Sequence, residues 1–192
     1  MGSTGGVKTG VCMFAYNNEE IDYANLAIIA ALHVKANMKH NEVALICDQG
    51  TANHIEWKFD KKLIDTVFDY IIIDNIASPF RNTRVHHDSP WHTFTAPFKN
   101  QNKHQILDYS PFDKTLLIDT DYLICNSNLD VVFDLDTPLQ MYNSATNLEF
   151  KDPHPDEIRL RHNGVDMWWS TVIYFDKSDF CRLFFDLWGH IR

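Results

Sequence analysis

The chain has 192 residues, 45% of them hydrophobic, and a net charge of −9 from 17 lysines and arginines against 26 aspartates and glutamates. That length and apolar content suit one domain, spanning 1–192, with a substantial core. The acidic balance weighs against a broad nucleic-acid or anionic-membrane surface, though not against a local basic pocket for one phosphate group.

Short apolar runs alternate with helical patterns. Thr9 to Tyr16 (TGVCMFAY) reads as a first strand. Residues 19–38 then place Ile21, Ala24, Ile28, Ala31 and Lys35 at helical spacing, with acids in the first turn. Val43 to Cys47 reads as a second strand ending at Asp48-Gln49-Gly50, residues 52–65 as a helix, and Phe68 to Asp74 as a third strand. From Asn75 to Pro97 periodicity fails. Pro79, Pro90, Pro97 and the polar RNTRVHHDSPWH predict a long loop there, and long loops in compact domains often carry function. FKNQNKHQILDY reads as helical, KTLLID as a fourth strand, NLDVVFDL as a short helix and PLQMY as a strand. Residues 143–166 are irregular, WWSTVIYF (Trp168 to Phe175) is the last strand, and KSDFCRLFFDLWGHI forms a closing helix. The expected fold is α/β, a mainly parallel sheet flanked by helices on both faces, without internal repeats or linkers.

Three of the four cysteines, Cys12, Cys47, Cys125 and Cys181, sit in apolar runs, and no CxxC pair occurs. They read as small buried hydrophobes and not as redox or zinc ligands. No segment approaches the ~20 apolar residues of a membrane span. The opening MGSTGGVKTG lacks the apolar core of a signal peptide, so no membrane partner is expected and the chain is expected in the cytoplasm.

Ligands of such sheets gather at the carboxyl ends of the strands. Tyr16-Asn17, Asp48-Gln49, Asp74-Asn75 and Asp119-Thr120-Asp121 all fall there. Asp119 and Asp121 stand between Leu116-Leu117-Ile118 and Leu123-Ile124, where an unpaired charge is costly. Two carboxylates leaving a strand end can converge on a hard divalent cation, which in turn neutralises a diphosphate. They can equally cap backbone amides at a strand–loop–helix junction. A haloacid-dehalogenase-like phosphatase also uses a strand-end Asp-x-Asp, but near the start of its chain and with a later acidic pair. Here the motif begins at residue 119 and no Gly-Asp pair follows.

FDKTLLIDTDYLICNSNLDVVFDL resembles the metal-binding segment of GT-A-fold glycosyltransferases, in particular the glycogenin-like family 8. Phe112-Asp113-Lys114 leads into the strand, Asp119-Thr120-Asp121 follows, and Asn128, Leu129, Asp130 and Phe133 match the helix after it. CMFAYNNEEIDYANLAIIAALHV is similar to the family's opening. The resemblance puts the first strand's end (Phe14, Ala15, Tyr16) at the nucleotide sugar and Tyr23 in the place of a tyrosine that stacks on uracil. FDYIIIDNI looks like the family's third strand. Lys103, eighteen positions before Asp121, matches a lysine near the sugar nucleotide.

The resemblance implies a single GT-A-like domain that transfers a sugar from a nucleotide sugar, a UDP-sugar first among candidates, with retention of configuration. The acceptor, whether glycan, protein or another molecule, is open, with the acidic charge weighing against nucleic acid. The implied cofactor is a divalent metal, manganese before magnesium, on Asp119 and Asp121. The implied site comprises Phe14, Ala15, Tyr16, Tyr23, Lys103, Asp119, Thr120 and Asp121, with Asp121 and Lys103 closest to the chemistry. Two departures stand out. Trp169-Ser170-Thr171 replaces the family's Asn-Ser-Gly, and no counterpart of its late metal-binding histidine, in a Lys-Pro-Trp motif, is present. A shortened or truncated fold is therefore expected, and a degenerate domain that binds a nucleotide sugar or glycan without turnover is the alternative. Of the histidines, His86, His87, His92, His154 and His162 read as solvent-exposed, not as replacements for the missing ligand.

Overall fold

The structure, a computed structural model, describes residues 6–75, 82–89, 92–98, 102–143, 162–164 and 168–191. The described residues form a six-stranded sheet. At its centre β1 (Thr9–Ala15) pairs in parallel with β2 (Val43–Cys47) and with β6 (Lys114–Ile118), in registers Met13↔Leu45 and Met13↔Ile118. β3 (Tyr70–Ile73) extends the parallel set beyond β2. On the other side β8 (Trp169–Asp176) runs antiparallel to β6, and β7 (Leu139–Tyr142) closes the edge against β8. The expected architecture, a mainly parallel sheet with flanking helices, is present.

The continuous apolar runs of β1, β2 and β6 follow from burial on both faces. Val11, Met13, Leu45 and Ile118 enter one core layer, while Cys12, Phe14, Ile46 and Leu117 enter the other. Helix α1 (Tyr23–Asn37) covers the first layer through Ala24, Ala27, Ile28, Ala31 and Val34. The short α4 (Ile106–Tyr109) and the closing α5 (Asp179–Ile191) cover the second through Ile106, Leu107, Cys181 and Phe185. All four cysteines are free; Cys12, Cys47 and Cys181 are buried as expected, and Cys125 is exposed. No described helix is long and apolar enough to cross a membrane.

Several boundaries differ from the sequence reading. The first turn of α1 carries no acid; Asp22 instead caps it, accepting from the Asn25 N–H at 3.1 Å. Burial raises the Asp22 carboxyl pKa, but Lys58, the Asn25 N–H and Asn17 outweigh it and hold the group below its ordinary value. Lys35, on the expected helical stripe, lies at the surface and pairs with Asp69 at 2.6 Å. The expected helix at 52–65 is two, α2 (Gln49–Lys58) and α3 (Lys61–Val67), because the Asp60 side chain accepts from the Lys62 N–H and starts a new helix.

The expected loop from Asn75 to Pro97 contains an antiparallel hairpin, β4 (Asn82–Ser89) with β5 (His92–Phe98). Its prolines and histidines hide a short period-two pattern. Pro97 lies opposite Thr83 in a two-stranded ribbon, where every strand is an edge and a missing N–H donor is tolerated. Most of the irregular segment 143–166, with His154, lies outside the described residues.

Gly10 of β1 lies against Phe112, whose side chain is fully buried and stands edge-on to Tyr70 at 5.8 Å. A Cβ at position 10 would stand 2.6 Å from Cε1 of that ring. Gly10→Ala is therefore expected to lower stability by about 1–3 kcal/mol through overpacking, read from urea unfolding.

Candidate functional site

Parallel pairing brings the ends of β1, β2, β3 and β6 to one edge of the sheet. There Tyr16, Asn17, Asp48, Asp74 and the Asp119-Thr120-Asp121 segment follow directly on their strands. The backbone N–H of Asp119 still donates to the Thr171 carbonyl of β8 at 3.0 Å, so the first aspartate is fixed by the sheet itself. Thr120 is buried and Asp121 is exposed.

Lys103 begins a single 3-10 turn, Lys103–Gln105, that runs into α4. Its ammonium makes an ion pair with Asp119 Oδ1 and donates to the Ser170 carbonyl at 3.3 Å. Two of the expected site residues, sixteen positions apart in the chain, are thus in contact. Ser170 belongs to the Trp169-Ser170-Thr171 stretch that departs from the family pattern, and the contact uses its backbone oxygen.

The other expected residues lie differently. Phe14 and Tyr16 are buried in the layer under α4 and α5, and Ala15 in the layer under α1, so their side chains serve the two cores. Tyr23 is the first residue of α1 and packs, half-buried, against the α1-side core. Asn17 connects these elements: its backbone N–H donates to Thr51 Oγ1 at 2.8 Å, and its Oδ1 accepts from the Ala24 N–H at 2.7 Å. Asp130 and Phe133, matched through the family motif, are structural. The buried Asp130 carboxylate accepts from the N–H groups of Lys39 (3.1 Å) and His40 (3.2 Å), and Phe133 is core.

Sequence reasoning missed the partners of Asp74. This buried carboxylate accepts from Tyr16 Oη (2.7 Å), Tyr109 Oη (2.7 Å) and Asn102 Nδ2 (2.9 Å). Burial first, and then the hydrogen bond to Asp74, push both phenols above the ordinary tyrosine range. The available signal was an acid at the end of an apolar strand, the same signal that marks Asp119.

Asp119 and Asp121 offer the hard oxygen donors a divalent cation prefers. Among the described residues no group of three or more His, Cys, Asp or Glu side chains could hold a metal. Lys103 already pairs with Asp119 Oδ1, and the two aspartates are the oxygen donors at hand for such a cation. The two aspartates therefore fit a cation that draws most of its ligands from water or from phosphate.

No protein-family model and no curated protein matches the sequence. Solved structures do. The glycosyltransferase GlyE of Streptococcus pneumoniae TIGR4 superimposes with a TM-score of 0.51 at 16% identity, over 94% of this chain and 37% of that one. An active-site mutant of LgtC gives 0.56 at 14% identity, over 90% of this chain and 59% of that one. The galactosyltransferase LgtC in complex with donor and acceptor sugar analogs gives 0.55, with the same identity and coverage. The chain thus has the fold of GT-A-type glycosyltransferases, as the resemblance implied. It spans between roughly two-fifths and three-fifths of the length of these structures.

The Lys103–Asp119 pair lies between the exposed and buried regimes, with side chains 13% and 28% exposed. Lys103→Met is expected to lower stability by roughly 1–3 kcal/mol, between the values for surface and buried pairs. Urea unfolding at low and high salt checks this, the loss persisting at high salt because a part-buried pair is weakly screened.

Proposed function

We propose that this chain is the nucleotide-sugar-binding domain of a metal-dependent glycosyltransferase, acting on a UDP-sugar with retention of configuration. The observation that carries the reading is the Asp119-Thr120-Asp121 segment at the end of β6 in a GT-A sheet, with Lys103 seated on its first aspartate. Asp121 and Asp119 would hold the cation, manganese before magnesium. When bound, that cation supplies Lewis-acid stabilisation of the departing diphosphate. Lys103 stands close enough to Asp119 to share charge with the same phosphates. The acceptor is a glycan or another hydroxyl-bearing molecule; the LgtC complex with sugar analogs supports the glycan first.

A second reading is a domain that binds without turnover. It is favoured by one observation: part of the charge on Asp119 is already met by Lys103, which weakens the pull on a cation. Donor hydrolysis or transfer with and without manganese separates the two.

Asp121→Asn is expected to weaken manganese-dependent UDP binding at least tenfold while leaving the melting temperature nearly unchanged, since the side chain is exposed. Equal affinity of wild type and variant in calorimetry sinks the metal assignment. For Tyr23, Tyr23→Phe should keep UDP binding and Tyr23→Ala weaken it by roughly 1 kcal/mol, the scale of an aromatic contact. Equal binding by both places the base elsewhere.

A further inference from the structure

Asp74 follows β3 at the site edge, 6% exposed, and accepts from Tyr16, Asn102 and Tyr109 through both carboxylate oxygens. A carboxylate so removed from water persists because these donors replace hydration. What distinguishes the arrangement is where the donors come from. Tyr16 is the residue after β1. Asn102 and Tyr109 are the two ends of one short segment, and Lys103 is the residue next to Asn102.

That segment has little order of its own. It consists of one 3-10 turn and one α-helical turn, too short to be stable alone. On its far side His104 packs against Gly189 of α5, where an added Cβ would stand 2.8 Å from the ring. Asp74 supplies the polar anchorage at both ends. Between these anchors the Lys103 side chain spans to Asp119 and the Ser170 carbonyl. A lysine has four flexible carbons, so its ammonium stays in one place only if its backbone does.

We propose that Asp74 is a positioning residue: by holding Asn102 and Tyr109 it fixes the 102–109 segment against β3 and seats the Lys103 ammonium on Asp119. This rests on the reading of the Asp119–Lys103 pair as part of a nucleotide-sugar site. The influence of Asp74 on the site runs through Lys103.

The test begins without any ligand. Amine-reactive labelling of the folded protein, followed by peptide mass spectrometry, reports how accessible each lysine is. Lys61, with a side chain 87% exposed, serves as the internal reference. In the wild type Lys103 should label much more slowly than Lys61. Tyr109→Phe and Asp74→Asn should each raise the Lys103 rate several-fold relative to Lys61, with circular dichroism unchanged. A Lys103 rate unmoved in the folded variants overturns the proposal and leaves Asp74 a purely structural group. If Asp74→Asn does not fold, Tyr109→Phe decides alone, since it removes one hydroxyl.

A second arm measures coupling. Manganese-dependent UDP affinity is compared for Lys103→Met, Tyr109→Phe and the double variant. If Asp74 acts through Lys103, the double variant binds as Lys103→Met does; additive losses overturn the proposal. A wild-type chain that binds no UDP overturns the reading of the site, and the labelling then decides the seating of Lys103 by itself.

Discussion

The pairing of β1 with β2 on one side and β6 on the other governs the molecule. Both pairings are parallel, and parallel strands all end at the same edge. Each strand here ends in a short polar segment that the sheet does not consume. Because β1, β2 and β6 are buried, the residues that follow them at that edge are where polar side chains leave the core. Asp119 stands there by virtue of Met13 pairing with Ile118.

β8 adds a second constraint. It is reversed, so the beginning of this strand, not its end, arrives beside β6. It therefore brings backbone carbonyls to the site: Thr171 accepts from Asp119 and Ser170 from Lys103. A departure from the family's side chains at these positions leaves both contacts intact, since neither uses a side chain.

Much of this was legible in the chain. The strands at Thr9, Val43, Lys114 and Trp169 are apolar runs whose ends are marked by polar residues, and an Asp-x-Asp between such runs is visible without a structure. Lys103 was legible through resemblance. The hairpin was not, because a proline and adjacent histidines interrupt its alternation. The Asp74 network was not either: its donors lie 58, 28 and 35 residues away, and no local pattern records such contacts. The burial of Phe14 and Ala15 was implicit in the strand period, which sends successive side chains into opposite layers.

Gly10 of β1 is matched with Thr115, and Leu116 in turn with Tyr174. β2, by contrast, is separated from β1 by one helix, and β3 from β2 by two. Pairings that close long loops are slow to form, because chain entropy is lost before contacts are gained. During synthesis the N-terminal strands and α1 to α3 leave the ribosome well before β6 does. In that interval the flank of β1 that β6 will occupy stands open, lined by Val11, Cys12 and Met13. An unpaired apolar strand edge is a template for association with other chains. The strand that organises the site is thus also the one a nascent chain most needs shielded.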